Sequence, residues 1–159
     1  MIKIIDLKHK PEYLKPLSQW HHEQWAYLNP GQSLSDRQES MGSFLQDQFI
    51  PSTYCAEFNN QVVGSAAIID NDMDSHPELS PWLASVYVAP SWRKQGIATT
   101  LMRHIIKQAK SHDIGQLYLF TPDEEDFYLA RGWELIRRET YRDSDVSLMQ
   151  YTIEKAVPF

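Results

Sequence analysis

Residues 82–88 read WLASVYV, a short segment that is apolar on both of its alternating faces. A strand with this pattern is stable only inside a sheet that is covered on both sides. After the turn APSWRKQG, apolar residues recur every four positions along one stripe of a helix: Ile97, Leu101, Ile105 and Ala109. The sequence therefore predicts a central strand that leads into an amphipathic helix, which restricts the fold to the α/β classes.

The remaining segments extend this unit to a mixed α/β sheet. Strand patterns occur at 2–7, 52–58, 62–70, 116–120, 133–141 and 144–155. Helix patterns occur at 12–28, where Pro16 starts or kinks the helix, from Ser33 or Ser35 to about Phe49, at 97–112 and at 123–132. Asn59 and Asn60 are expected to form the turn of a hairpin. The order is βααβββαβαββ, and the length predicts one domain over residues 1–159.

The composition limits the cellular setting and the partners. Cys55 is the lone cysteine, so no intramolecular disulfide can form, and its place in TYCAEF predicts a buried structural thiol. No window approaches ~18 uncharged apolar residues, and the N-terminal segment lacks the features of a signal peptide. The net charge of −6 argues against nucleic acid as a partner. We therefore expect a cytoplasmic protein that neither spans a membrane nor binds nucleic acid.

Two segments begin like metal sites but lack essential ligands. HEQWA has Ala26 where a zinc-protease helix needs its second histidine. DNDMDS has Ser75 where a calcium loop needs glycine, and Pro81 stands where that loop needs glutamate. We therefore expect no metal ion to take part.

The segment WRKQG, residues 92–96, has the composition of an anion-binding turn. The first turn of a helix carries unpaired N–H groups and the positive end of the helix dipole, which attract phosphate oxygens. Gly96 leaves the main chain bare, and Ala98 adds only a methyl group. Arg93 and Lys94 add positive charge. An ordinary helix start with solvated cations fits the spacing equally well, so this motif alone does not decide.

Two motifs taken together resemble those of the GNAT N-acetyltransferase superfamily. VYVAPSWRKQGIATTLM is similar to the acyl-coenzyme-A motif V-x-P-x-x-R-x-x-G-x-[GA], after a one-residue adjustment before the proline; the matching residues are Val88, Pro90, Arg93, Gly96 and Ala98. LYLF followed by FYLARGW resembles the second motif, in the expected order. The resemblance covers roughly residues 50–153. It implies a seven-stranded, mostly antiparallel mixed sheet flanked by about four helices.

The resemblance also implies a binding mode for acetyl-CoA. The fourth and fifth strands of the family splay apart and admit the pantetheine arm, which would pair with the main chain of Val86, Tyr87 and Val88. The N–H of Val88 would point at the thioester carbonyl. The pyrophosphate would lie beside Arg93 and Lys94, on the amides of Gln95, Gly96, Ile97, Ala98 and Thr99.

Tyr128 in FYLARGW takes the place of the family's general acid. Transfer expels a thiolate whose conjugate acid has a pKa of about 8.5, and a phenol with a pKa of about 10 can protonate it while staying neutral at pH 7. A core aromatic is the alternative interpretation of Tyr128. Thr121 stands where many relatives have an asparagine, so a contact with the cofactor would use its hydroxyl.

The attacking amine must lose a proton, so the reaction needs a base within reach. Glu78, just before the fourth strand, is the leading candidate for this base. Ser85 could hold a water instead, and Asp70 is a further option. No motif singles out one of them, and a solvated loop carboxylate is an equally good interpretation of Glu78.

The resemblance places the acceptor against the first two helices and the loop that joins the last two strands. Trp20, Trp25 and Tyr27, with Glu23, would there form an aromatic and acidic pocket that suits an ammonium ion. The alternative is a core position for Trp25 and a solvated position for Glu23.

These observations predict an acetyl-CoA-dependent N-acetyltransferase that acts by direct transfer in a ternary complex. The expected acceptor is a primary amine of a small, cationic molecule. Cys55 does not suit an acyl-cysteine intermediate, because it is a lone thiol in an apolar segment. Two alternatives remain: an enzyme for peptide or protein N-termini, and a catalytically silent module that binds acyl-CoA. Edge pairing of the final strands, common in the superfamily, also leaves a homodimer open.

Overall fold

A computed structural model describes residues 1–154, which form a seven-stranded sheet flanked by four α-helices. The strands are β1 (Lys3–Asp6), β2 (Ser52–Phe58), β3 (Gln61–Ile69), β4 (Trp82–Val88), β5 (Gln116–Thr121), β6 (Glu134–Tyr141) and β7 (Ser144–Thr152). The helices are α1 (Leu14–Trp25), α2 (Leu34–Met41), α3 (Ile97–Ser111) and α4 (Glu125–Leu129). The predicted element order and fold class are confirmed. Lys155, the last residue of the predicted final strand, lies outside the described residues.

The sheet is mixed, and β4 lies at its centre. The spatial order is β1-β2-β3-β4-β5-β7-β6, in which β4 and β5 are parallel and the other neighbours are antiparallel. The segment that is apolar on both faces is therefore the middle strand, as predicted. Asn59 and Asn60 turn the chain between β2 and β3 with φ angles of 49° and 61°. Asparagine tolerates this left-handed conformation, which matches the twist of a tight hairpin.

The helix α2 is shorter than predicted. It begins after Ser33, whose hydroxyl accepts a hydrogen bond from the N–H of Asp36 while the Asp36 carboxylate accepts one from the N–H of Ser33. The predicted end near Phe49 is wrong, because α2 ends at Met41 and a 3₁₀ turn follows over Gly42–Leu45. Hydroxyls of Ser40 and Ser43 bond carbonyl oxygens three residues earlier, which competes with the helical pattern.

Both faces of the sheet are covered. The helix α3 packs on one face through its predicted apolar stripe, which is buried at Ile97, Leu101, Met102, Ile105 and Ala109. The first two helices cover part of the other face, where Leu17 and Met41 pack with Cys55. Cys55 is fully buried, and burial raises the pKa of its thiol to about 12. The predicted structural thiol is thus confirmed.

Candidate active site

The sheet opens between β4 and β5. Within the described chain these strands share one register pair, Trp82 with Tyr118, and they diverge beyond it. On its other side, β5 stays paired with β7 from Gln116 to Thr121. A cleft of about 1300 Å³ extends into the opening, with Val86–Val88 on one wall and Leu119–Thr121 on the other. Main-chain groups that would bond β5 in a closed sheet are therefore available to another extended molecule.

A bulge in β4 shapes the wall of the cleft. Ala84 pairs with Ala67 and Tyr87 pairs with Ser65, so β4 holds one residue more than β3 over this interval. Ser85 lies in the bulge with a φ of 52°, a left-handed conformation that a serine rarely adopts. A bulge re-aims the side chains and main-chain groups that follow it. Here it turns Ser85 and Val86 into the cleft.

The first turn of α3 forms one end of the cleft. Gly96 precedes the helix with a φ of 82°, and no side chain in the described residues caps this end. The first helical hydrogen bond runs from the N–H of Thr100 to the carbonyl of Gly96, over 3.0 Å. The N–H groups of residues 96–99 therefore lack helical acceptors and can bind an anion. A Cβ built on Gly96 would meet nothing within 4 Å, so this side of the turn is open.

The two predicted cations, Arg93 and Lys94, differ in their contacts. Arg93 donates from Nε to the carbonyl of Val88 over 2.8 Å, and its guanidinium lies 5.6 Å from the centre of the Tyr87 ring. It therefore joins the turn to the end of β4 besides adding charge. Lys94 lines the cleft with a φ of 63°, whereas Gln95 is exposed and its side chain lies outside the lining.

Tyr128 reaches the cleft from α4. Its side chain is buried against Phe127 and Trp133, with ring centres 5.0 and 5.8 Å away. Burial raises the pKa of the Tyr128 hydroxyl, and the nearby carboxylates of Glu124 and Asp123 raise it further. The phenol is therefore protonated throughout the neutral range.

Thr121 sits at the start of the loop that carries Tyr128. Its Oγ1 accepts a hydrogen bond from the N–H of Glu124 over 3.0 Å, which fixes the turn between β5 and α4. The hydroxyl lines the cleft, and its proton remains free to be donated there.

Arg131 lies at the same end of the cleft but was not anticipated from the sequence. Its Nε donates to Thr99 Oγ1 and its Nη1 to the carbonyl of Phe127, both over 2.8 Å. The guanidinium also lies 3.7 Å from the centre of the Phe127 ring. Arg131 thus ties α4 to the first turn of α3 and adds a cation beside it. The available signal was its place directly before Gly132 in the second motif.

Four chain segments meet at the opposite end of the cleft. They are the end of α1 with the following turn, α2, the loop after β3, and the turn between β6 and β7. Arg142, in the turn between β6 and β7, joins three of them. Its Nη1 donates to the carbonyl of Leu28 and to Asn29 Oδ1 in the turn after α1, each over 3.0 Å. Its Nη2 donates to Asp74 Oδ2 over 3.1 Å. This end was predicted as the acceptor region, but Arg142 itself was not.

The predicted acceptor residues divide between the cleft and the outside. Trp25 and Ser85 line the cleft, whereas Trp20 and Glu23 do not. Trp20 instead stacks on the Tyr87 ring, with centres 5.5 Å apart. Glu23 is exposed and accepts a hydrogen bond from Gln19 on its own helix. The predicted pocket of Trp20, Trp25 and Tyr27 with Glu23 is therefore corrected, because only Trp25 among these residues lines the cleft.

The leading candidate for the base is also misplaced. The Glu78 side chain is 63% exposed and lies outside the cleft lining, 3.2 Å from His76 Nδ1. His76 Nε2 lies 2.6 Å from Glu139 Oε1, so Glu78 belongs to a contact that anchors its loop to β6. The predicted role of Glu78 as the base is corrected on this ground. Asp70, the further option, does line the cleft.

Two more titratable side chains, which were not predicted as site residues, line the cleft. His21 is buried with Nε2 2.9 Å from Ser65 Oγ, and burial lowers its pKa to about 3, so the imidazole is neutral. Burial raises the pKa of Asp72 to about 7, against the opposing effect of the Arg142 and Arg37 charges. Their roles depend on contacts between distant segments, which the local sequence does not reveal.

Residues 1–154 hold no group of three or more histidine, cysteine, aspartate or glutamate side chains that could bind a metal ion. None of the helices in that range is both long and apolar enough to cross a bilayer.

Comparisons with known proteins agree with this geometry. The model of the acetyltransferase (GNAT) family matches residues 14–133. No curated protein matches the chain by sequence. A probable acetyltransferase from Staphylococcus epidermidis has a similar structure, with a TM-score of 0.72 and 16% identity over 97% of this chain and 100% of its own.

Two similar structures have more specific descriptions. The ribosomal-protein-S18-alanine N-acetyltransferase from Escherichia coli gives a TM-score of 0.67 and 18% identity over 99% of this chain and 97% of its own. N-acetylglutamate synthase from Neisseria gonorrhoeae, complexed with coenzyme A and N-acetyl-glutamate, gives 0.68 and 14% identity over 98% of this chain and 36% of its own. At these identities the likeness concerns the fold.

Proposed function

The chain belongs to the acetyltransferase (GNAT) family, and we propose that it moves the acetyl group of acetyl-CoA to the primary amine of a small acceptor. Both substrates are bound together, and the transfer is direct. One observation carries this proposal: a single cleft joins the opening between β4 and β5, the uncapped start of α3 and the buried phenol of Tyr128. Each of these features suits a different part of the cosubstrate.

The residues of the cleft fit acetyl-CoA. The N–H groups of residues 96–99 would bind the pyrophosphate, with positive charge from Lys94 and Arg131 beside them. The main chain of Val86–Val88 would pair with the pantetheine amides, since β5 leaves those groups free. Acetyl-CoA, when bound, supplies an acetyl group activated as a thioester. The N–H of Val88 is the proposed donor to the thioester oxygen.

Tyr128 is the proposed donor to the departing sulfur. Its raised pKa keeps the hydroxyl protonated, so a hydrogen is always available at this position. The same shift makes complete proton transfer to a thiolate less favourable than for an unperturbed phenol. A hydrogen bond from Tyr128 Oη to the developing thiolate therefore contributes much of the effect, because such bonds are strong in a site shielded from water.

A carboxylate of the acceptor end takes the proton from the amine. Asp70 and Asp72 both line the cleft, in the loop that follows β3. The pKa of Asp72, about 7, suits a base that works at neutral pH. We assign the role to Asp72, with Asp70 as the neighbouring alternative.

The acceptor is proposed to be a small molecule rather than a protein. Arg142 closes the acceptor end by tying the β6–β7 turn to the connection between α1 and α2. A long peptide would need this bridge to open. The N-terminal acetyltransferase among the similar structures acts on a ribosomal protein, so peptide acceptors belong in the test.

The test measures thiol release from acetyl-CoA with a panel of amines and peptides, and coenzyme A binding by calorimetry. We expect Tyr128→Phe to bind coenzyme A like the wild type but to lose roughly ten-fold or more in turnover. Tyr118→Phe is the matched control, because Tyr118 lies on β5 outside the cleft lining and packs on Trp82.

Each contrary result has a distinct meaning. Unchanged turnover in Tyr128→Phe would remove Tyr128 from the reaction. Coenzyme A binding without turnover on any acceptor would indicate the silent module instead. Absence of binding would contradict the proposed function itself.

A further inference from the structure

Arg37 is the least satisfied charged side chain of the acceptor end. It lies on α2, one turn after the capping box of Ser33 and Asp36 that fixes the start of that helix. Its side chain lines the cleft. The Nε atom is buried and has no hydrogen-bond partner among the described residues.

The Arg37 side chain is partly buried and forms no ion pair among the described residues, which calls for an anionic partner. Burial lowers the pKa of Arg37, while the charge of Asp72 raises it, so the group stays a cation at neutral pH. Buried N–H groups in folded proteins are almost always bonded, and each exception needs an explanation such as a catalytic role or a bound water or ion. A carboxylate is the partner that a guanidinium binds best, because its two oxygens match the fork of N–H donors.

The surrounding residues do not supply that partner. Arg142, the other cation at this end, already bonds Leu28, Asn29 and Asp74. Asp72 acts on Arg37 through its charge, without an ion pair at bonding distance between them in the described chain. Gln32 Oε1, also in the cleft lining, is buried without a described donor. The acceptor end thus has a cation, a carboxylate and an amide side chain in its lining.

We propose that the acceptor is a primary amine that also carries a carboxylate, which the Arg37 guanidinium binds. Its amino group faces Asp72, where the proton must be taken. Gln32 Oε1 accepts a hydrogen bond from another N–H or O–H of the acceptor. This inference rests on the proposed function, since it names the substrate class of the same reaction. It disfavours polyamines, whose second cation would meet Arg37.

The experiment compares matched acceptors. A set of amino acids that differ in their side chain is tested. Each amino acid is compared with the corresponding amine that lacks the carboxyl group and with the corresponding carboxamide. Thiol release from acetyl-CoA is measured with the wild type, Arg37→Gln and Arg37→Lys. Arg103→Gln serves as the control, because Arg103 is exposed on α3 and lies outside the cleft lining.

We expect the wild type to prefer the carboxylate-bearing member of each pair. In Arg37→Gln the KM for that member rises roughly ten-fold or more, as loss of a charged hydrogen bond predicts. The KM for acetyl-CoA and for the decarboxylated amine stays within about two-fold, since neither needs a cation there. Arg37→Lys restores part of the preference because it keeps the charge.

The outcomes separate this inference from the proposed function. Equal or better use of the decarboxylated amines by the wild type overturns the inference while acetyl transfer stands. The inference is also overturned if Arg37→Gln changes the KM for the amino acid and for the decarboxylated amine by the same factor. If none of the acceptors tested causes thiol release from acetyl-CoA, the proposed function is overturned, and the inference with it. If Arg37→Gln does not fold, the wild-type preference and Arg37→Lys still decide.

Discussion

At the end of β4, three residues hold backbone conformations that few residue types adopt. Ser85, Lys94 and Gly96 have φ angles of 52°, 63° and 82°. For residues with a Cβ, such conformations cost about 1–2 kcal/mol each. Ser85 and Lys94, which carry a Cβ, both line the cleft, so backbone strain is present where main-chain groups must be turned toward a ligand.

Gly64 on β3 supports this wall from behind. A Cβ at Gly64 would lie 2.8 Å from the carbonyl oxygen of Tyr87 and 3.4 Å from Ile97 Cγ2. We expect Gly64→Ala to lower the free energy of unfolding by about 1–3 kcal/mol, because main-chain atoms must move to admit the methyl group. Urea denaturation measures this change.

Gly42→Ala is the control for this substitution. Gly42 has a φ of −57°, and a Cβ there meets nothing within 4 Å. Its stability should stay the same or rise slightly. Equal stability of Gly64→Ala and the wild type would show that β3 and β4 are not in close contact at this point.

The residues of the candidate site differ in how well the sequence predicts them. Gly96 and Tyr128 belong to motifs in which neighbouring residues define the surroundings, and both line the cleft. Glu78 lies in a long loop whose path depends on the contact of His76 with Glu139 on β6. Arg37 and Asp72 meet only because α2 packs near the loop after β3. Local pattern does not encode such contacts.

Among the elements, the strands and α3 follow directly from their sequence patterns. Their apolar spacing is regular, and glycine or asparagine marks several of the turns between them, whereas Arg142 and Asp143 form the turn between β6 and β7. The helix α2 is the exception, since Gly42 and the serines around it end the helix early. The opening between β4 and β5 has no local sequence signal, and it was implied by the family resemblance alone.

The start of α3 allows a matched test of anion binding. Gly96 and Gly31 have φ angles of 82° and 84°, and a Cβ on either meets nothing within 4 Å. Of the two, Gly96 lines the cleft. We expect both alanine variants to lose about 1–2 kcal/mol of stability through the left-handed backbone. Only Gly96→Ala should also weaken coenzyme A binding several-fold in calorimetry, because its methyl group enters the space beside the free N–H groups.

Gly31→Ala therefore separates strain from binding. If Gly96→Ala binds coenzyme A as tightly as Gly31→Ala does, the first turn of α3 does not hold the anion. In that case the pyrophosphate must rest on side chains such as Arg131, whose Nε bonds Thr99 Oγ1.

At the scale of the whole molecule, two buried groups give the stability opposite pH dependences. The pKa of His21 is lowered to about 3, so between that value and the ordinary 6.5 the unfolded chain binds more protons. This contribution is lost as the pH falls through that range. The pKa of Asp72 is raised from 3.8 to about 7, so there the folded chain binds more protons and stability is lost as the pH rises. The two effects partly offset each other between about pH 4.5 and 6.5.

Single variants should reveal the two slopes. In His21→Gln the loss of stability on acidification is removed, so its free energy of unfolding gains on the wild type as the pH falls from 6.5. The gain is at most about 1.4 kcal/mol per pH unit. In Asp72→Asn the loss of stability on raising the pH is removed, so its free energy of unfolding gains on that of the wild type as the pH rises toward 8. Urea denaturation from pH 4.5 to 8 checks both, and parallel curves for all three proteins would contradict the protonation states described for the cleft.

The lone register pair between β4 and β5 divides the sheet into a block of four strands and a block of three. On the proposed function, the missing ladder is completed by a metabolite, whose amides stand in for a polypeptide. The rigidity of the sheet at this opening then depends on whether the cofactor is bound. Free coenzyme A carries the same pantetheine amides as acetyl-CoA, so either form would join the two blocks of strands.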